Sequence, residues 1–165
     1  MNKEKVQTII TSSKVIFWDF DGVIKDSVPV KSEAFRKLFS PYGKKVTNRV
    51  VEHHIANGGM SRYKKIPYYF KNYLGMEITK KETNQYADEL GELLVDKVVN
   101  SPWIPGVEDY LCLNPYNQIF ILVTSTPQQE IESILEKLEL VKVFSAIHGS
   151  PEEKTRAVSI ELEKD

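Results

Sequence analysis

The sequence predicts an α/β protein in which a core of parallel strands joined by right-handed crossovers carries a long helical insertion after its first strand. Three observations predict it. Val15 to Trp18 and Ile119 to Val123 are unbroken apolar runs of β-branched, aromatic and aliphatic residues, the pattern of strands buried on both faces of a parallel sheet. Both runs stop in polar residues and a turn former, Asp19-Phe20-Asp21-Gly22 and Thr124-Ser125-Thr126-Pro127. Between them, from about Pro29 to Asn100, apolar residues recur with helical spacing and no further buried strand is legible.

Each element has its own signals. Pro29 opens a helix carrying Val30, Ala34, Phe35 and Leu38, and Pro41-Tyr42-Gly43 ends it. Thr47 is the expected cap of a second helix that stops at Gly58-Gly59. Ser61 opens a third, with Tyr63, Ile66, Tyr69, Phe70, Tyr73 and Leu74 running to Gly75 and a kink expected at Pro67. Thr79-Lys80-Lys81-Glu82 is a capping box ahead of a long helix with Tyr86, Leu90, Leu93, Leu94 and Val98 on its apolar side. Four inserted helices are therefore expected. Pro102-Trp103-Ile104-Pro105-Gly106 is a rigid return segment, followed by a helix from Val107 to Leu113. After the strand Ile119 to Val123, Thr126 caps a helix with Pro127 at N1 and Gln129 at N3. Val143 to Ile147 reads as a third strand, and Ser150 caps a last helix with Pro151 at N1 and Glu153 at N3.

Bulk properties narrow the function classes. The 165 residues allow one compact domain or a small core with an insertion. A net charge of −1 gives no electrostatic case for nucleic acid or an anionic membrane, so neither is expected as a partner. Cys112, the single cysteine, lies in Tyr110-Leu111-Cys112-Leu113 and reads as a small buried hydrophobe. The segment Met1 to Lys14 is too polar, and its apolar patch too short, for a signal peptide or membrane span, which points to a cytoplasmic protein.

The chemistry concentrates where the strands end, because ligands of open parallel sheets bind beyond the carboxyl ends of the strands. A period of two puts Asp19 and Asp21 on one side, and Gly22 lets the chain turn away at little steric cost. A carboxylate attacks an anionic phosphate only if a cation cancels the repulsion. Mg²⁺ suits that task, since it takes oxygen ligands from one or two carboxylates, phosphate and water. Asp19 is then nucleophile and metal ligand, and Asp21 the group that gives and later takes a proton. Thr124, at the end of the second strand and ahead of a helix N-terminus, can donate to a phosphoryl oxygen, with Ser125 beside it. Lys154 lies early in the last helix, where a lysine opposes the dipole and calls for a compensating anion. In Asn57-Gly58-Gly59-Met60-Ser61-Arg62-Tyr63-Lys64-Lys65 a glycine hinge joins a cationic helix start, which makes Arg62 and Lys65 candidates for a second substrate anion. Adjacent His53 and His54 project in different directions and read as ordinary helix residues, and His148 as a strand-end residue.

Asp19-Phe20-Asp21-Gly22-Val23-Ile24 with Asp26-Ser27 resembles the first motif of the haloacid dehalogenase-like hydrolases, Thr124 the second, and Gly149-Ser150-Pro151 with Lys154 the third. The resemblance implies a Rossmann-like core formed by residues 1–25 and 103–165 and an α-helical cap formed by residues 26–102. It implies Asp19 as nucleophile, Asp21 as acid/base that also offers its carbonyl to Mg²⁺, and Lys154 as the bridge between nucleophile and phosphoryl group. Gly22, Ser125, Arg62 and Lys65 become substrate-binding residues, as in the phosphoglycolate phosphatase and β-phosphoglucomutase group. The implied activity is hydrolysis of a small phosphorylated metabolite, with a phosphomutase or a non-catalytic binding domain as alternatives. The family's fourth motif, an acidic loop after a further strand, has no counterpart before Asp165. The expectation is a truncated core that leaves Val15 to Trp18 as a sheet edge, covered by a partner chain or a second copy if the chain is a natural short form.

Overall fold

The computed structural model describes residues 2–164; Met1 and Asp165, at the ends of the two expected core segments, lie outside them. Helix α1 (Lys3–Ser12) precedes β1 (Val15–Trp18), and four helices follow: α2 (Val28–Phe39), α3 (Lys44–Ala56), α4 (Arg62–Tyr69) and α5 (Lys80–Val99). The chain then returns through α6 (Val107–Leu113), β2 (Ile119–Pro127), α7 (Gln128–Lys137), β3 (Ala146–Ser150) and α8 (Lys154–Leu162). The three strands form one parallel sheet in the order β1-β2-β3, so the α/β class read from the strand runs is what the chain adopts.

β2 is the central strand, with Phe120, Ile121, Leu122 and Val123 all buried. β1 pairs with β2 alone and is only half-buried along its length, unlike the two-face burial its apolar run predicts. Val15 and Phe17 meet only the small cluster of Ile121, Val123 and Ala157, so the cover on that face is thin. A single hydrophobic cluster runs from Phe120 and Leu122 through Ile131 and Ile134 of α7 to Phe35 and Phe39 of α2, Tyr69 of α4 and Leu90 and Leu94 of α5. The inserted helices therefore pack directly over the sheet end. Where the chain leaves and re-enters the sheet the two segments run together: Asp26 N donates to Pro102 O at 2.8 Å, Ile104 N to Ile24 O at 3.0 Å, and Lys25 Nζ lies 4.4 Å from the Trp103 ring centroid.

Several local readings shift. Helix α3 starts at Lys44, and Thr47 sits inside it with its hydroxyl donating to Gly43 O and Phe39 O, so Thr47 ties α3 to α2 instead of capping a helix. Ser61 caps α4 as expected, and the helix continues past Pro67 into a π-helical turn, Phe70–Leu74, closed by left-handed Gly75. The capping box at Thr79 and Glu82 is formed. β2 runs on to Pro127, which is itself the N-cap of α7 without a side-chain bond, so Thr126 is not the cap. β3 begins at Ala146 after a 3₁₀ turn at Val141–Val143, and α8 begins at Lys154 with Glu153 as N-cap, leaving Ser150 in the strand. Cys112 is exposed, because Leu111 takes the inward position on the short α6. The sequence reading passed over α1, whose N-cap Asn2 accepts from the Glu4 amide at 3.2 Å; none of its residues is buried, and it is tied down by Gln118 Nε2 donating to Ile10 O and Ser13 O, both at 2.7 Å.

Candidate active site

Asp19 follows the last residue of β1, where the chain leaves the sheet. Its Oδ1 accepts from the Phe20 amide at 2.8 Å and its Oδ2 from Lys154 Nζ at 2.6 Å. Lys154 is the first residue of α8, so the carboxylate answers the unfavourable placement of a cation at a helix N-terminus. Both side chains remain reachable from solvent, 40% exposed for Asp19 and 32% for Lys154.

Asp21 has no free oxygen. Ser27 Oγ donates to its Oδ1 at 2.6 Å, while Lys31 Nζ at 2.6 Å and Thr126 Oγ1 at 3.1 Å meet its Oδ2. Burial pushes the Asp21 carboxyl up, yet the Lys31 charge and the bonds from Lys31, Ser27 and Thr126 outweigh it and hold the group below the ordinary aspartate value. Gly22, at φ +73°, makes the turn that allows this: its amide donates to Lys25 O at 2.8 Å, and the conformation is one that side-chain-bearing residues rarely adopt.

The two aspartates and Lys154 open on a cleft of about 190 Å³ between the sheet end and the inserted helices. Ser125, Arg62 and Lys65 also line it; Thr124 and Gly22 do not. Thr124 is buried and its hydroxyl accepts from the Thr126 amide at 3.2 Å. The reason lies in β2, which continues past Val123 through an irregularity in register to Pro127. The hydroxyl that reaches Asp21 is that of Thr126, a contact the sequence reading did not include. Ser125 Oγ donates to Gly59 O at 2.6 Å, joining β2 to the glycine turn of the insertion. Arg62 is committed elsewhere: its guanidinium donates to Glu130 Oε1 at 2.7 Å and to Ala87 O at 3.1 Å, with both ion-pair side chains 7% exposed.

Sequence reasoning passed over Lys31, Thr126, Glu130 and His54, although a signal existed for two of them. Lys31 falls on the stripe of Phe35 and Leu38, and His54 on that of Val50 and Val51, so each is a polar residue at a core position. Among the described residues no group of three or more His, Cys, Asp or Glu side chains forms a ready cation cage. The half-exposed Asp19 carboxylate is a thin oxygen donor set. It fits Mg²⁺, which shares its shell with substrate phosphate and water, better than a fully protein-ligated metal.

Comparison with known proteins decides the family. Residues 15–157 match the model of the haloacid dehalogenase-like hydrolases. The chain belongs to that family. It is 31% identical over 144 residues to a phosphoglycolate phosphatase of Aliivibrio fischeri, a match covering 82% of this chain and 61% of the relative. It is 28% identical over 139 residues to a phosphorylated carbohydrates phosphatase of Thermotoga maritima, covering 81% and 60%. The chain thus spans under two thirds of the length of these curated haloacid dehalogenase-like relatives. A crystal structure described as a predicted phosphoglycolate phosphatase from Haemophilus somnus superposes with a TM-score of 0.64 at 19% identity, covering 91% of this chain and 69% of the other. That likeness shows the shared Rossmann-like fold. Among the described residues no helix is long and apolar enough to cross a membrane.

Proposed function

We propose that this haloacid dehalogenase-like chain carries the site of a phosphatase for small phosphorylated metabolites, with Asp19 as nucleophile and α2–α5 as a cap over the cleft. The observation that carries the reading is the 2.6 Å contact of Lys154 Nζ with Asp19 Oδ2 in a cleft that the inserted helices also line. A carboxylate oxygen and a cation share one point of access, so an arriving phosphoryl group finds its attacker and part of its charge neutralisation together. The names of the curated relatives, phosphoglycolate and phosphorylated carbohydrates phosphatases, support small phosphate esters as substrates.

In the first half-reaction the Asp19 carboxylate forms a bond to phosphorus as the ester P–O bond breaks, and the leaving oxygen takes a proton by way of Asp21, which draws that proton from solvent because the fold holds its carboxyl ionised. In the second, water attacks the aspartyl phosphate and Asp21 takes its proton. Held ionised by Lys31, Ser27 and Thr126, Asp21 is set for the second of these tasks. Lys31 therefore positions the acid/base, and Lys154 stabilises charge on the nucleophile and the phosphoryl group. Asp19 and the Asp21 carbonyl would hold Mg²⁺, which when bound supplies the positive charge that lets two anions meet. The cap excludes water from the reacting group.

Asp19→Asn removes the attacking oxygen while keeping the size of the side chain. Mg²⁺-dependent phosphate release from p-nitrophenyl phosphate and from phosphoglycolate is expected to fall by at least ~10³-fold, on the scale of losing a nucleophile. Turnover equal to that of the parent would refute the assignment.

A further inference from the structure

The two helices that follow β2 and β3 are fastened to the sheet in different ways. α7 buries Ile131, Ile134 and Leu135, whereas Ala157 is the one buried residue of α8. Residues three, four and seven apart share a helix face, so Lys154, Ala157, Val158 and Glu161 form the stripe that α8 turns to the sheet. In its middle, Ala157 and Val158 pack with Ile121 and Val123. Both ends of the stripe are polar, and each makes a 2.6 Å contact. Lys154 Nζ donates to Asp19 Oδ2 beyond the end of β1, and Glu161 Oε1 meets Nε2 of His148 on β3. His148 stands opposite Val123 in the register of β2 and β3, on the face that α8 covers. The Glu161 side chain is 7% exposed. The hydrogen bond from Lys164, which burial opposes, and then the bond with His148 hold its carboxyl below the ordinary glutamate value. An ionised carboxylate only accepts, so His148 Nε2 carries the proton between them.

We infer that His148, acting through Glu161, is a positioning residue for Lys154: the pair pins the far end of α8 and so fixes where the helix presents its first residue to Asp19. The inference rests on the phosphatase reading for its kinetic consequence alone, since the contact of Lys154 with Asp19 exists whatever the site turns over. Glu161 lies two turns from Lys154, about 10 Å along the axis at 1.5 Å per residue. Between them the helix is held by one alanine and one half-buried valine, and apolar contact has no preferred direction. Such packing lets α8 slide or turn on the sheet, whereas a hydrogen bond loses strength steeply with misalignment. Lys154 cannot supply the fixed point itself, because its flexible four-carbon stem lets the ammonium reach Asp19 from a range of helix positions. The His148 ring sits on a paired strand and has no such range. Lys164, the other partner of Glu161, is 60% exposed and continues from α8 itself, so it neutralises the carboxylate without tying it to the sheet.

The test uses variants of the full chain. His148→Phe removes the donor, His148→Gln keeps an N–H near the place of Nε2, and His148→Leu with Glu161→Leu replaces the pair by apolar packing that strands no carboxylate. The first readout needs no turnover: the rate at which trace acetic anhydride acetylates Lys154, followed by mass spectrometry, with Asp19→Asn as the reference for a released amine. His148→Phe and the double variant should label Lys154 about threefold faster than the parent, the scale of a half-exposed ion pair, and His148→Gln at the parent rate. The second is hydrolysis of p-nitrophenyl phosphate with Mg²⁺. In the same two variants kcat should fall by roughly 10- to 100-fold with KM changed far less, as for a catalytic group displaced by about 1 Å, while His148→Gln retains most of it. Urea unfolding separates position from stability, because the double variant should be as stable as the parent and still label fast; it carries the test if His148→Phe does not fold. Labelling at the parent rate in the folded double variant, or kcat that recovers along with its stability, would overturn the inference. Faster labelling in a chain without turnover supports the pin, and then the phosphatase reading alone fails.

Discussion

Arg62 and Lys65 stand three residues apart on α4, both are buried, and their surroundings differ in one respect. Arg62 reaches a carboxylate of its own chain, Glu130 on α7, and a carbonyl on α5. Lys65 reaches only His54, through a ring nitrogen and a carbonyl. The planar guanidinium, with donors in a fixed fork, suits a permanent junction of three helices; the ammonium is a point charge whose bonding is left incomplete. Burial moves the Lys65 amine down to about 8, which measures how poorly its charge is compensated. A buried cation with a carboxylate partner belongs to the architecture. One without a partner is held by neutral groups alone.

The largest expected effect breaks the first member of this pair. Arg62→Met strands the Glu130 carboxylate in a buried site, and loss of one partner of a buried ion pair costs about 3–5 kcal/mol. Urea unfolding should show that loss, and the double change Arg62→Met with Glu130→Met should recover most of it, because two apolar side chains leave no charge unpaired. A double variant as unstable as the single one would mean that Arg62 acts through shape and not through its charge. Equivalent treatment of Lys65 strands no carboxylate, so a smaller loss of stability is expected there.

A smaller effect concerns the group that holds Lys65. The His54 imidazole is neutral in the fold down to about 3, against 6.5 for a free imidazole. Between those values the unfolded chain binds a proton that the folded chain does not. Stability from this group is thus fully present above pH 6.5 and is lost as pH falls toward 3, amounting to roughly 3 kcal/mol by pH 4. The charges responsible are Lys65 and Arg62 on α4 and Lys31 on α2, with Asp21 acting against them. His54→Asn preserves an acceptor near Nδ1 and cannot titrate. The difference in unfolding free energy between parent and variant should shift in the variant's favour from pH 7 to pH 4; a difference independent of pH would place the imidazole in contact with water.

Much of this contrast was legible before any coordinates. The strands at Val15 to Trp18 and from Ile119, the cap at Ser61 and the capping box at Thr79 are local patterns, and the chain forms each of these elements, although β1 is less buried and β2 longer than read. The carboxylates and Lys154 were legible because their residue types and spacing carry the chemistry. What escaped is non-local. Nothing near Arg62 in the sequence announces Glu130, 68 residues away, and Lys31 gives no hint of Thr126, 95 residues away. The contact of Thr126 with Asp21 follows from how far β2 extends, which its pairing with β3 decides and its own residues do not. His54 and Lys31 were visible as polar residues on apolar stripes, a sign that becomes informative only once the facing helix is known.

The finest test of the comparison lies on α5. A Cβ added at Gly91 would sit 3.0 Å from Glu130 Oε2 and 3.5 Å from Arg62 Nη1, so the absence of a side chain there makes room for the ion pair. Alanine in place of glycine inside a helix ordinarily stabilises by about 1 kcal/mol. Here the carboxylate that must yield is fixed by a buried guanidinium, and moving it stretches a 2.7 Å bond. Gly91→Ala should therefore show little or none of that gain in the parent. In the Arg62→Met, Glu130→Met background the constraint becomes a flexible thioether, and the full increment of about 1 kcal/mol should return. Equal gains in both backgrounds would show that the junction of α4, α5 and α7 is loose, and would remove the basis for treating the Arg62–Glu130 pair as architecture.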